Sequence, residues 1–236
     1  MEVQNLIFQN KVVIGQCVLY LADSTELVAG LSDIDSICSD PPYGINYVSG
    51  YATEKLWSGG RSIRSDETTF ARDLIVQWSS GRPCLIFGSW KMPRPEGTRS
   101  VLIWDKGGAL GMGALDIPWK PDHEEIYVIG KGFVGKRDSG SVLRCAPVQS
   151  TAKNGRVHPT QKPVMLLKKL CQKLPGTILD PFMGSGSTGV ACAQMGRRFV
   201  GIESEKAYFD IARKRIEDAY RQGDLFVDPQ NEGAER

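Results

Sequence analysis

The sequence predicts an α/β fold in which a sheet is covered by helices on both faces. Two observations support this class. Short apolar runs alternate with stretches of helical spacing, and the alternation is regular from residue 163 onward. A glycine-rich segment, 184–189, also lies between a predicted strand and a predicted helix. With 236 residues, the chain fits one domain, or one domain with a substantial insertion, and it can bury a full core.

The elements of the first 130 residues are short. A strand or hairpin is predicted at 12–21, and a helix at 69–78, where the apolar residues share one face. Short apolar runs predict further strands at 34–38, 84–87, 101–104 and 125–129. Residues 44–66 and 131–157 have no periodicity, so a long loop and an irregular basic stretch are predicted there.

The second half alternates more clearly. Pro163 suits the first residue of a helix because its ring fixes φ. This helix is predicted to run from 163 to 171. It is followed by a strand at 177–179, a helix at 187–195, a strand at 199–202, an amphipathic helix at 205–220 and a polar tail at 221–236. The chain therefore forms one sheet with intervening helices and has no internal repeat.

Positive charge is concentrated in one part of the chain. Residues 131–173 contain ten Lys or Arg and a single acid, Asp138, whereas the whole chain has a net charge of only +2. Such a block is typical of a polyanion-binding surface, although a solvated basic face gives the same pattern. The six cysteines form no CxxC pair, so neither a zinc site nor a disulfide framework is predicted. Without a signal peptide or a long apolar run, a cytoplasmic protein is predicted.

One tetrad, Asp40-Pro41-Pro42-Tyr43, follows a predicted buried strand. The two prolines fix the backbone and remove two N–H donors, so the carbonyls of Asp40 and Pro41 are held rigidly beside an aromatic ring. Stiff acceptors beside a flat ring suit a planar group that carries an NH2. The tetrad therefore indicates a site for the exposed edge of a nucleobase.

A second motif lies in residues 177–203. Gly184, Gly186 and Gly189 form G-x-G-x-x-G between a strand and a helix, and Glu203 ends the next strand. Glycines permit a tight turn and a close ligand, and the acid accepts from ribose hydroxyls, so a nucleoside-bearing cofactor is predicted. NAD and FAD stay open on this motif alone. A dinucleotide is disfavoured because Asp180 would repel a pyrophosphate.

The order of motifs resembles a known family. SDPPYG at 39–44, HPTQKP at 158–163, DPFMGSGST at 180–188 and GIE at 201–203 resemble the amino-methylating DNA methyltransferases of the permuted β class. WDK at 104–106 and HEEIYV at 123–128 are similar too, so the likeness spans roughly 12–217. It implies a Rossmann-like methyltransferase fold: a seven-stranded, mostly parallel sheet with one antiparallel strand and a circularly permuted motif order. The family often has Thr where this chain has Ser187.

The resemblance implies S-adenosylmethionine as methyl donor, with S-adenosylhomocysteine as product. The implied catalytic residues are Asp40, Pro41, Pro42 and Tyr43, which bind and stack on a flipped adenine. The implied cofactor-binding residues are Asp40, Asp180, Phe182, Gly184, Ser185, Gly186, Ser187, Glu203, His158, Thr160 and Lys162. In this set Glu203 holds the ribose, Asp180 lies near the methionine ammonium, and Lys162 lies near the methionyl end.

Double-stranded DNA is the implied partner, bound by one methyltransferase domain with recognition loops at 45–70 and 107–157. The predicted DNA-binding residues are Tyr47, Tyr51, Trp57, Arg61, Arg64, Lys136, Arg137, Arg144, Lys153 and Arg156. Family members often form homodimers, so a dimer is expected, in a bacterial, archaeal or phage-infected cell. His123 is predicted to be a strand-edge histidine, and Trp104 a core residue.

Several functions remain in competition. Asp40 at the first position of the tetrad favours adenine N6 by resemblance, but methylation of cytosine N4 uses the same chemistry. A catalytically silent DNA-binding relative is the second alternative. A nicotinamide-dependent oxidoreductase built on the glycine motif is the third.

Overall fold

A nine-stranded sheet forms the centre of the computed structural model, which describes residues 7–42, 68–108, 116, 118–119, 121–148 and 161–224. The strands are β1 (Asn10–Ile14), β2 (Cys17–Leu21), β3 (Ser36–Ser39), β4 (Cys84–Gly88), β5 (Thr98–Asp105), β6 (His123–Ile129), β7 (Val142–Arg144), β8 (Ile178–Asp180) and β9 (Phe199–Glu203). The helices are α1 (Ser24–Leu27), α2 (Phe70–Trp78), α3 (Val164–Cys171), α4 (Ser187–Gln194) and α5 (Lys206–Asp224).

The strands lie in the order β1-β2-β9-β8-β3-β4-β6-β5-β7. Seven strands are neighbours in the sheet order β2-β9-β8-β3-β4-β6-β5. They are parallel except for β6, which runs antiparallel to both of its neighbours, β4 and β5. The predicted seven-stranded arrangement with one reversed strand is therefore confirmed. Two edge strands extend it, because β1 folds back on β2 as a hairpin and β7 pairs in parallel with β5.

Alternating side chains divide the core between the two faces of the sheet. On one face, Leu85 and Phe87 belong to the same cluster as the buried residues of α3, α4 and α5. On the other, Ile86 packs in a cluster that includes Leu27 of α1 and Ile75 of α2. The helices thus cover both faces, as the fold class predicts.

The strand order reverses between β3 and β8. The chain leaves β3 toward β4 on one side of the sheet, and it leaves β8 toward β9 on the other. In open α/β sheets a crevice forms at such a switch point, beyond the carboxyl ends of the strands. The tetrad that begins at Asp40 follows β3, and the glycine segment follows β8, so both motifs lie at this crevice.

Local differences from the predicted elements have simple causes. Helix α1 and strand β7 were not predicted; β7 has only Leu143 buried, too little for an alternating pattern, and it lies within the stretch predicted to be irregular. Pro163 is the N-cap of α3 rather than its first residue, because its ψ of 130° is extended. Helix α5 continues to Asp224. Within the described residues, no helix combines the length and apolar character required to cross a membrane.

Candidate active site

Asp40 lies directly after β3 at the crevice, and Pro41 beside it is buried. Its carboxylate is held by a lysine from far along the chain: Lys162 Nζ lies 2.9 Å from Asp40 Oδ2. Lys162 immediately precedes the N-cap of α3, and only 7% of its side chain is exposed. The lysine predicted near the methionyl end of the cofactor is therefore in contact with the tetrad. Tyr43 lies outside the described residues.

Two further residues complete an alternating row of charges. Lys162 Nζ also lies 2.9 Å from Glu124 Oε2, at the start of β6. The other oxygen of that carboxylate, Glu124 Oε1, lies 2.8 Å from Lys106 Nζ, just past the end of β5. The ammonium of Lys162 also lies 4.9 Å from the ring centre of Phe87 and 5.9 Å from that of Trp104. We call Lys106, Glu124, Lys162 and Asp40 the charge row.

The charge row keeps its inner members ionised. Burial alone raises the pKa of the Glu124 carboxyl, but the ammonium groups of Lys162 and Lys106 outweigh it, so the pKa is lowered. Burial likewise lowers the pKa of Lys162, but the carboxylates of Asp40 and Glu124 outweigh it and raise that pKa. Each buried charge therefore has a partner of opposite sign, as a low-dielectric interior requires.

Asp180, the last residue of β8, joins the two motifs. Its Oδ1 accepts from the Ser39 hydroxyl at 2.7 Å and from the Phe182 N–H at 3.2 Å, and its Oδ2 accepts from the Thr188 hydroxyl at 2.7 Å. Burial raises the pKa of Asp180 to about 7, although these three hydrogen bonds lower it. Ser39 immediately precedes Asp40, so one carboxylate links the tetrad to the glycine segment.

The glycine segment passes beside Glu203 at the end of β9. Glu203 Oε2 accepts from the Gly184 N–H at 3.0 Å, and Oε1 accepts from the Glu205 N–H at 2.8 Å. Burial raises the pKa of Glu203. Gly184 and Gly186 have left-handed φ values of 50° and 78°, which residues with a side chain rarely adopt. The structure thus places the predicted ribose acceptor against the tight turn that a nucleoside-bearing ligand requires.

Helix α5 packs against the glycine segment and holds it through Arg215. Arg215 donates to the Ser185 carbonyl, to the Ser185 hydroxyl at 3.0 Å and to the Ser187 hydroxyl at 3.3 Å. An added Cβ on Gly186 would lie 2.8 Å from the Cβ of Ala212 on the same helix. The two serines, predicted to contact the cofactor, are buried and bonded to Arg215, so their hydroxyls help to shape the loop.

The predicted DNA-binding residues are divided between described and undescribed parts of the chain. Lys136, Arg137 and Arg144 are exposed, and Arg144 Nε lies 3.5 Å from Asp105 Oδ2. The predicted site residues that lie outside the described residues are Tyr43, Tyr47, Tyr51, Trp57, Arg61, Arg64, Lys153, Arg156, His158 and Thr160. The roles assigned to them stay predictions.

Two residues occupy the places predicted for them. His123 is the exposed first residue of β6, with Nδ1 3.3 Å from Asp122 Oδ1. Trp104 is buried, and its indole N–H donates to the Cys145 carbonyl at 2.7 Å. The sequence reasoning assigned no role to Lys106, Glu124 or Arg215. The first two lie in the WDK and HEEIYV motifs, which resemble the family without indicating a contact between these residues.

Comparison with known proteins decides the family. A family model described as DNA methylase, for N6 and N4 methylation, matches residues 119–214. The Type II methyltransferase M2.MboI of Moraxella bovis is 33% identical over 238 residues, and the match covers 85% of each chain. The chain belongs to the N6-adenine and N4-cytosine DNA methylase family. The family prediction is thereby confirmed.

Two other relatives match this methylase over shorter segments. Type II methyltransferase M2.DpnII of Streptococcus pneumoniae is 56% identical over 63 residues, which cover 25% of this methylase and 24% of the relative. M2.LlaDCHI of Lactococcus lactis subsp. cremoris is 37% identical over 131 residues, which cover 54% of this chain and 49% of the relative. This methylase thus spans at most about half the length of these two relatives.

Solved structures confirm the fold of this methylase. The M1.HpyAVI–SAM complex has a TM-score of 0.60 at 24% identity, with 84% of this methylase and 98% of that chain covered. The PvuII DNA methyltransferase, which is cytosine-N4-specific, has a TM-score of 0.65 at 14% identity, and the match covers 92% of this chain and 96% of that one. At such identities the likeness establishes the Rossmann-like methyltransferase architecture.

Proposed function

We propose that this methylase transfers a methyl group from S-adenosylmethionine to the N6 amino group of an adenine flipped out of double-stranded DNA. One observation carries the proposal. The Ser39–Asp180 hydrogen bond of 2.7 Å joins the segment that bears Asp40 to the glycine segment beside Glu203. An acceptor for an amine and a cradle for a nucleoside-bearing donor therefore lie side by side at the switch point of the sheet.

The methyl donor is S-adenosylmethionine, which supplies an electrophilic methyl group on a sulfonium. The residues present fit it: Gly184 and Gly186 adopt the left-handed backbone of a tight cradle, and the Glu203 carboxylate is placed to accept from ribose hydroxyls. Phe182 is half-buried beside this turn and would contact the adenine ring of the donor. The solved M1.HpyAVI neighbour is a SAM complex.

The target amine needs activation because its lone pair is delocalised into the ring of the base. Hydrogen bonds from the two N6–H groups to the Asp40 carboxylate and the Pro41 carbonyl would favour a pyramidal nitrogen with a localised lone pair. As the nitrogen bonded to the methyl group, the methyl–sulfur bond would break and S-adenosylhomocysteine would leave. The carboxylate of Asp40 would stabilise the positive charge on the nitrogen until the nitrogen released a proton. Positioning supplies the rest of the acceleration, and no covalent intermediate is needed. Tyr43 would stack on the flipped base.

Cytosine N4 is the second candidate because its amine presents the same two N–H groups. Asp40 as the first residue of the tetrad favours adenine, by the resemblance that identified the motif. The cytosine-specific PvuII neighbour supports only the shared fold. Adenine is therefore the proposed base.

DNA would be bound by the loops at 45–70 and 107–157 of a single methyltransferase domain, in which Lys136, Arg137 and Arg144 are exposed. Positive side chains on one face neutralise phosphates whatever the base sequence. The Type II methyltransferase relatives support a role in restriction–modification. A homodimer would add further DNA-contacting surface. The dimer and the cytoplasmic location stay predictions.

The test is incubation with unmodified duplex DNA and labelled S-adenosylmethionine, followed by nucleoside analysis. We expect label in N6-methyladenine. Asp40→Ala should reduce transfer by on the order of a hundredfold or more, because an acceptor aimed at developing charge is lost, while the fold stays intact. Asp218→Ala, which removes a partly exposed carboxylate of α5, is the matched control.

Each other outcome has a definite meaning. Label in N4-methylcytosine would replace adenine by the second candidate. Donor binding without transfer to any DNA would show a catalytically silent relative. Full activity of Asp40→Ala would disprove the role of that carboxylate.

A further inference from the structure

We propose that Glu124 and Lys162 are positioning residues, which hold Asp40 ionised and oriented as the acceptor for the target amine. The proposal rests on the function proposed above and assigns a role to two motifs that it left unused. HEEIYV contributes Glu124, and HPTQKP contributes Lys162. Neither residue needs to touch the base or the donor to act in this way.

The geometry is that of a built site. Lys162 Nζ lies 2.9 Å from a carboxylate oxygen of Asp40 and 2.9 Å from one of Glu124, so a single ammonium ties two strands together. Lys106 holds the far oxygen of Glu124 at 2.8 Å. Two carboxylates and two ammonium groups therefore alternate, and their charges cancel. The row connects the ends of β3 and β5 and the start of β6 to the start of α3.

Lys162 is unusually well placed to remain charged while buried. The rings of Phe87 and Trp104 lie within 6 Å of its ammonium, where their π faces attract a cation and compensate part of the lost hydration. The two carboxylates supply the remainder. A residue that served only to fill space at this position would be apolar, because a buried charge costs far more than a buried methylene.

The charge row opposes protonation of the Asp40 carboxylate, which its surroundings in the crevice favour. Among the described residues, the titratable groups near it include Lys162, Glu124 beyond that lysine, and Asp180, which interacts with it electrostatically. Two acids near a half-buried carboxylate favour its protonated form. A protonated Asp40 would present an O–H toward the N6–H donor and could not accept from it. The ammonium of Lys162 opposes this protonation.

This role differs from the one that the family resemblance implied, which placed Lys162 near the methionyl end of the donor. A donor ligand would contribute to the affinity for S-adenosylmethionine. A positioning residue would contribute to the chemical step and to its pH dependence. The two roles therefore predict different measurements on the same variant.

The first experiment is a carbon-13 NMR titration of aspartate carboxyl groups in the protein without donor or DNA. The Asp40 resonance is identified by its loss in Asp40→Asn. We expect Lys162→Met to raise the midpoint of that resonance by about 1–3 pH units, because an opposite charge at contact distance is removed. Lys214→Met, on the exposed side of α5, should leave it in place. An unchanged midpoint in Lys162→Met would overturn the proposal.

The second experiment compares kcat, KM and the dissociation constant for S-adenosylmethionine. We expect Lys162→Met to lower kcat by on the order of a hundredfold at neutral pH, with donor affinity unchanged and activity partly restored as pH rises. Lys162→Arg, which keeps the charge, should retain more activity than Lys162→Met. Weaker donor binding with an unchanged kcat at saturation would instead show that Lys162 is a donor ligand, and the proposal would fail.

Two provisions keep these outcomes separable. If Lys162→Met does not fold, Glu124→Gln tests the same row while preserving side-chain volume, and it should also reduce kcat without weakening donor binding. If the wild-type chain methylates no DNA, the proposed function fails, whereas the NMR titration still decides whether Lys162 controls the protonation of Asp40.

Discussion

At the residue scale, the site depends on buried charges that are partnered by the protein itself. Asp180 accepts three hydrogen bonds, and Lys162 lies between two carboxylates. The motif sequences predicted functional roles for Asp40, Asp180 and Glu203. They did not identify the partners, because the contact between Asp40 and Lys162 joins segments that are remote in sequence and have no shared pattern.

Asp180 should make the stability of this methylase fall as pH rises. Burial raises its pKa to about 7, so between about pH 4 and about pH 7 the folded state retains a proton that the unfolded state releases. Asp180→Asn removes this titration. The free energy of unfolding of the variant, relative to wild type, should therefore increase over that range by on the order of 4 kcal/mol.

Urea denaturation at several pH values measures this difference, and the titration of all other carboxyl groups cancels in the comparison. Parallel stability curves for the two proteins would show that Asp180 ionises in the folded protein as it does in the unfolded chain.

At the element scale, the cofactor segment is shaped by a helix that lies behind it. Arg215 of α5 bonds to Ser185 and Ser187, and Gly186 packs against Ala212 of the same helix. The sequence predicted both the glycine turn and α5, because each has a strong local pattern. It did not predict that the serine hydroxyls bond to α5, since a motif shows which residues are present and not where their side chains point.

Arg215→Ala should weaken the binding of S-adenosylmethionine by about tenfold, because the loss of several charge-assisted hydrogen bonds leaves the glycine segment less ordered. Isothermal titration calorimetry measures the change. Arg213→Ala, an exposed neighbour on α5 with a weak ion pair to Glu217, is the control and should bind the donor normally. An equal loss of donor affinity in the two variants would show that the effect comes from a change of charge on the helix surface and not from the hydrogen bonds of Arg215.

At the scale of the whole molecule, alternating strands and helices were sufficient to predict the fold class, and the order of motifs was sufficient to predict the family. The edge strands were harder to predict. Strand β7 has three residues and a single buried side chain, so tertiary pairing with β5 rather than local pattern determines it. The reversal of β6 brings Glu124, at the beginning of that strand, to the same edge of the sheet as Asp40 at the end of β3, a consequence of pairing that no local segment contains.

The whole molecule should be stabilised by its donor and not by a dinucleotide. At a concentration of S-adenosylmethionine one hundred times its dissociation constant, the melting temperature should rise by roughly 5–10 °C, because the ligand binds only the folded state. NAD at the same concentration should cause no shift. A thermal-shift titration measures both. Stabilisation by NAD alone would overturn the assignment of the donor and revive the oxidoreductase alternative.

The hydrogen bond between Ser39 and Asp180 has a thermodynamic consequence. It connects the backbone that presents the amine acceptor to the carboxylate that fixes the donor loop, so a shift on either side alters the other. Any factor by which bound donor changes the affinity for DNA must equal the factor by which bound DNA changes the affinity for donor. Under the function proposed above, this bond would couple the binding of the two substrates.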